Sequence, residues 1–96
     1  MAHMTYVAAY DITDDGQRDD VATILEGFGY RVQKSVFECD LEPERLAHLC
    51  ARLSRALAEN ATGNVRIYRV CRACLDESRR VGPDASLPAD ERVLSD

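Results

Sequence analysis

Asp11 closes a run of apolar residues, Tyr6-Val7-Ala8-Ala9-Tyr10, and Asp14, Asp15, Asp19 and Asp20 follow it closely. A carboxylate set directly behind a buried strand can cap the turn or helix that follows. It can also offer hard oxygen to a divalent cation, the ligand type that metal-assisted phosphodiester hydrolysis requires. The residues alone leave both readings open. Asp14 and Asp15 read as a helix cap and a first-turn acid favoured by the helix dipole. Outside residues 1–3 the only histidine is His48, so a metal-free ribonuclease built on a histidine acid and a histidine base is set aside. Cys71-x-x-Cys74 offers two thiolates, half of a structural zinc site. A thioredoxin-like role would need that motif to open a helix behind a strand; here it follows the last core strand, so the role is rejected.

Basic side chains fall in two places. Arg31 and Lys34 lie in a β-prone stretch, where they can meet phosphate or simply face solvent. Arg45, His48, Arg52 and Arg55 form a stripe along one helix, about 135° from the leucine stripe by the 100° step per residue. Such a stripe is ordinarily a solvated face. As a track for a nucleic-acid backbone it would bring strong salt dependence.

The elements that must position these groups follow from local patterning. Tyr6 to Tyr10 suits a buried strand. Asp14 can cap a helix, with Gln17 completing a capping box, and Val21, Ile24, Leu25 and Phe28 give that helix one apolar stripe. Gly29 is expected to end it as a left-handed cap. Tyr30 to Leu41 reads as two strands with a turn near Lys34-Ser35. Pro43 starts a second helix, whose inner stripe is Leu46, Leu49, Leu53 and Leu57. Gly63-Asn64 is expected to turn into a strand from Val65 to Cys71, and Leu75 to Val81 to add a short C-terminal edge strand. The order β-α-β-β-α-β predicts an α+β domain of the split βαβ type, both helices on one face of a four-stranded antiparallel sheet. The first strand lacks the alternation of a sheet with one wet face, so a second copy of the sheet is expected to cover the open side.

Ninety-six residues fit one domain. Residues 1–3 read as a cloning scar, 4–82 as the domain and 83–96 as a flexible acidic tail. No apolar run approaches the roughly 20 residues that cross a bilayer, and no signal peptide is visible, so a cytoplasmic protein without a membrane partner is expected. The formal charge of −5 is unevenly spread. Residues 11–20 carry five aspartates against Arg18, whereas residues 21–83 hold ten basic and eight acidic groups. A mildly basic body leaves nucleic acid open as a partner. Four cysteines without a secretory signal read as thiols.

The blocks Tyr10-Asp11-Ile12-Thr13-Asp14-Asp15, Arg18, Gly29, and Arg31-Val32-Gln33-Lys34-Ser35-Val36-Phe37-Glu38-Cys39-Asp40-Leu41, with Val65-Arg66-Ile67-Tyr68 and Cys71 further on, resemble the CRISPR-associated Cas-two family. The likeness runs from about residue 5 to 74. It implies a ferredoxin-like homodimer in which Asp11 meets its mate near the two-fold axis. It also implies a subunit of CRISPR adaptation that partners an integrase subunit and acts as an Mg²⁺- or Mn²⁺-dependent endonuclease on RNA or double-stranded DNA. Asp11 would be the catalytic metal ligand. Tyr10, Arg18, Arg31, Lys34, Ser35, Phe37, Arg52 and Arg55 would be its candidate nucleic-acid contacts. One departure is Asp20, where some members carry a second arginine. The competing expectation is a non-catalytic dimer that bridges integrase subunits and tracks DNA with Arg52 and Arg55.

Overall fold

The computed structural model describes residues 3–83; the proposed acidic tail, from residue 84 on, lies outside them. β1 (Met4–Ile12) leads into α1 (Asp15–Glu26), then β2 (Tyr30–Gln33), β3 (Val36–Leu41), α2 (Pro43–Ala56), β4 (Gly63–Val70) and α3 (Arg72–Glu77). The strands form one antiparallel sheet in the order β2-β3-β1-β4. This is the ferredoxin-like split βαβ arrangement.

Strand β1 sets the core. Tyr6, Ala8, Tyr10 and Ile12 are buried on the helical side, while Thr5, Val7, Ala9 and Asp11 point the other way. The apolar run therefore alternates in burial although residues on both its faces are largely apolar, because the helices pack on one face. Across the ladder, Phe37, Cys39 and Leu41 of β3 join Val21, Leu25, Leu49 and Leu53 of the helices in one cluster. Leu46 and Leu57 pack at its margin, completing the expected leucine stripe.

Several local signals act as the residues predict. Asp14 caps α1, its Oδ2 accepting from the Gln17 N–H at 2.8 Å. Pro43 opens α2, and Lys34-Ser35 forms a two-residue turn between β2 and β3. Three expectations change. Gly29 is not left-handed; α1 ends at Glu26 with Gly27 as its cap at φ −78°. Gly29 is required by proximity, since a Cβ there would sit 2.1 Å from the Glu38 carbonyl oxygen. The bend after α2 falls at Asn60, whose φ is 55°, and Gly63 and Asn64 already belong to β4. The expected edge strand at Leu75 to Val81 is absent, because Arg72–Glu77 coil into α3 and residues 78–81 carry no regular structure. Cys71 caps that helix and its carbonyl accepts from the Leu75 N–H at 2.9 Å. The Cys-x-x-Cys motif thus does open a helical turn behind a strand, contrary to the premise on which its redox role was rejected.

Candidate nucleic-acid and metal site

Both long helices, α1 and α2, pack on one face of the sheet, and among the described residues neither covers the second. Thr5, Val7, Ala9 and Asp11 of β1 stand there beside Val36, Glu38 and Asp40 of β3 and Asn64, Arg66, Tyr68 and Val70 of β4, since directly paired residues share a face. Asp11 is exposed at one end of this surface and pairs with Asn64. Arg66, opposite Ala9, is the cation among these strand positions, and its Nη1 donates to the Tyr68 hydroxyl at 3.5 Å. Tyr68 is 51% exposed. Arg66 and Tyr68 escaped the sequence reading of the site, although the alternation of Val65-Arg66-Ile67-Tyr68 puts both on the face of Asn64.

The backbone around Asp11 is held from two sides. Its carbonyl lies so close to β4 that a Cβ on Gly63 would come within 1.8 Å of the oxygen. Beyond it, the β1–α1 and α2–β4 loops are tied together. The Asp14 N–H donates to Thr62 Oγ1 at 2.9 Å, the Thr62 N–H donates to Gln17 Oε1 at 2.9 Å, and Gln17 Nε2 donates to the Asn60 carbonyl at 2.6 Å. Gln17 therefore leaves the capping box half made and spends its side chain on the neighbouring loop. No sequence signal marks Thr62; its role depends on a contact with a residue 48 positions away.

The remaining candidates scatter. Phe37 is fully buried, 0% exposed, and Tyr10 is 7% exposed with its hydroxyl donating to the Lys34 carbonyl at 3.4 Å. Both are core residues on the helical side of the sheet, which corrects their assignment as nucleic-acid contacts. Ser35 is half-buried, and its carbonyl accepts from the Tyr10 N–H at 3.0 Å. Arg31 lies 5.0 Å over the Phe37 ring, donates to the Lys34 carbonyl at 2.9 Å and pairs with Glu26 at 3.6 Å. Arg18 donates to the carbonyls of Ile12 and Thr13, at 3.0 and 3.3 Å, and pairs with Asp15. Both arginines are thus occupied in bracing their own loops. Lys34 is exposed at the hairpin tip.

On α2 the basic stripe divides. Arg45 stacks over the Phe28 ring at 4.2 Å and His48 meets the same ring edge-on at 5.8 Å. Arg52 and Arg55 are exposed and make no ion pair or hydrogen bond among the described residues. They sit on the helical side, away from Asp11. His48 is also on that side, and His3 lies by Asp40 and Glu42 near the opposite end of β1. Neither histidine is placed to serve Asp11 as an acid or base.

An exposed carboxylate with an amide side chain opposite it is a hard-oxygen donor set, which suits Mg²⁺ or Mn²⁺. Among the described residues no three His, Cys, Asp or Glu side chains gather at a single point.

Residues 4–78 match the family described as CRISPR associated protein Cas2. The chain belongs to the Cas2 family. It is 40% identical over 79 residues to CRISPR-associated endoribonuclease Cas2 1 of Chloroflexus aurantiacus, covering 82% of this chain and 85% of that one. Among solved structures, a hypothetical protein from Thermus thermophilus superposes with a TM-score of 0.75 at 36% identity, over 85% of this chain and 94% of that one. A chain of a solved partial Cas6-RT-Cas1–Cas2 complex superposes with a TM-score of 0.72 at 26% identity, over 88% of this chain and 98% of that one. No helix among the described residues is long and apolar enough to cross a membrane.

Proposed function

We propose that two copies of this chain stack through their open sheet faces and that Asp11 of each forms the centre of a divalent-metal-dependent phosphodiesterase acting on RNA or DNA in CRISPR adaptation. The observation that carries this reading is the exposed Asp11 carboxylate, set at the end of the sheet face opposite α1 and α2. That face presents Val7, Ala9, Val36 and Val70, apolar side chains that a matching sheet would take out of water.

The two Asp11 carboxylates would hold one Mg²⁺ or Mn²⁺, which when bound supplies positive charge against the scissile phosphate and a more acidic water. The chain's own work is orientation. Gly63 and the Thr62–Gln17 tie fix the backbone at Asp11, and Arg66 on the same face offers a cation to a phosphate oxygen. The name of the Chloroflexus aurantiacus relative, an endoribonuclease, supports the nuclease reading. The solved assembly that contains Cas1 alongside Cas2 supports an integrase subunit as partner.

A second reading rests on Arg52 and Arg55, exposed on α2 and without an ion pair or hydrogen bond among the described residues. In it the dimer is an architectural bridge between integrase subunits, tracking DNA with those arginines, and Asp11 is dispensable. Cleavage assays on single-stranded RNA and duplex DNA with Mg²⁺ or Mn²⁺, with EDTA, and with Asp11→Asn separate the two. The first reading expects cutting that EDTA abolishes and Asp11→Asn reduces at least about 100-fold. Equal cutting by Asp11→Asn would overturn it.

A further inference from the structure

We propose that Cys71 and Cys74 form a redox-active dithiol that closes reversibly to an intramolecular disulfide with a low-molecular-weight disulfide as oxidant. Both side chains are exposed. They lie in one closed turn, in which the Leu75 N–H donates to the Cys71 carbonyl at 2.9 Å. Residues three apart in such a turn are neighbours, with Cβ atoms about 5–6 Å apart before any adjustment, a short rotation from the roughly 4 Å that a disulfide needs. The Cys74 N–H also donates to Cys71 Sγ at 3.3 Å, a contact that strengthens when the sulfur carries charge.

The pair is asymmetric. The Cys74 side chain and its N–H, both hydrogen-bonded to Cys71 sulfur, pull the Cys71 thiol below its ordinary range. The same partnership, read from the other side, pushes Cys74 up. Cys71 is therefore the attacking sulfur and Cys74 the resolving one. In the first step the Cys71 thiolate bonds to one sulfur of glutathione disulfide and breaks its S–S bond, releasing one glutathione thiolate. In the second, Cys74 bonds to the Cys71 sulfur and expels the other glutathione thiolate. Two electrons pass from the protein to glutathione, and the two cysteine protons end on the two released thiols.

The other cysteines do not compete. Cys39 is buried, with its thiol pushed up to about 11 by burial first and by the Glu38 charge second. Cys50 is exposed on α2 with no second thiol in its own helix. The dithiol follows β4 at the end where Val70 pairs with Thr5, whereas Asp11 pairs with Asn64 at the other end. Six residues of strand, about 20 Å, separate the two places. Oxidation is thus expected to lock the turn that leaves the sheet without touching the carboxylate face.

The test uses the full-length protein equilibrated with glutathione and glutathione disulfide at pH 7, then alkylated and weighed intact. The wild type is expected to lose two alkylatable thiols and carry no glutathione. Cys74→Ser is expected to stop at a glutathione adduct on Cys71, and Cys50→Ser to behave as wild type. With limiting iodoacetamide, Cys71 is expected to react at least about tenfold faster than Cys50. Three results would overturn the proposal: a stable glutathione adduct on wild-type Cys71, a disulfide joining two copies or involving Cys50, or equal reactivity of Cys71 and Cys50.

Discussion

Asp11 faces Asn64 directly across the β1–β4 ladder, on the side of the sheet opposite both long helices. The pairing puts a carboxylate and an amide side by side at one end of a surface that also carries Val7, Ala9, Val36 and Val70. The proposed stacking of two copies would use the same face that carries Asp11, so one substitution on that face tests both.

Val7→Asp tests that geometry. Val7 pairs with Tyr68 and Glu38 near the middle of the open face, and a second carboxylate there would stand directly beside that of Glu38 when a sheet-to-sheet interface excludes water. Such a charge costs about 3–5 kcal/mol. Sedimentation velocity is expected to find wild type as a dimer and Val7→Asp as a monomer at micromolar concentration. A wild-type monomer, or an undisturbed Val7→Asp dimer, rules out stacking through this face.

Gly63→Ala is expected to destabilise the fold by about 1–3 kcal/mol, the usual cost of overpacking. The new methyl would fall 1.8 Å from the Asp11 carbonyl oxygen, and both neighbours are backbone that cannot swing aside. Urea unfolding monitored by circular dichroism measures the loss. A midpoint unchanged from wild type would show that β4 can withdraw from β1 at no cost.

Thr62→Val removes the hydroxyl that accepts from the Asp14 N–H and donates to Gln17 Oε1 at 3.0 Å. The expected cost is about 1 kcal/mol. The more telling readout is hydrogen exchange, where the Asp14 amide should lose protection while amides in the middle of β1 keep theirs.

Cys39 gives the chain a stability that declines in alkali. Its thiol is raised to about 11 in the folded state by burial and then by Glu38, against 9.0 in the unfolded chain. The unfolded state therefore releases this proton first, and stability falls between about pH 9 and pH 11, by on the order of 2 kcal/mol. Cys39→Ala should flatten that part of the pH profile relative to wild type, while lowering stability at neutral pH through the small cavity it leaves.

Arg52→Glu combined with Arg55→Glu reads out the helix stripe. If these exposed side chains track a DNA backbone, affinity should drop and the slope of log affinity against log salt should shrink by about 0.9 per arginine. An unchanged slope in fluorescence anisotropy titrations identifies them as ordinary solvated residues.

The elements were readable wherever one segment decides its own structure. Asp14 with Gln17, Pro43, and the leucines at 46, 49, 53 and 57 each announce a helix boundary or face, and Lys34-Ser35 is the turn the β-prone stretch requires. Asp11 was legible as well, since a charge ending an apolar strand must lie at a surface. What escaped depends on contacts between distant segments. Gly29 looks like a helix terminator, yet its constraint is the Glu38 carbonyl. Arg18 and Arg31 look free in the sequence, and in the fold they are occupied by loop carbonyls and by Glu26 and Asp15. Phe37 could not be assigned to a face from its neighbours, because Val36 and Phe37 are both apolar and the register with β1 alone decides which is buried.

Tyr10 and Asp11 are consecutive in β1, one sealed beneath the helices and the other open on the far side. Inserting or deleting one residue between Tyr6 and Tyr10 would exchange the two environments, driving a carboxylate into the core and an aromatic ring into water. Changes of length in this strand can only be tolerated in twos, and even a two-residue slip would carry Asp11 off the level of Asn64.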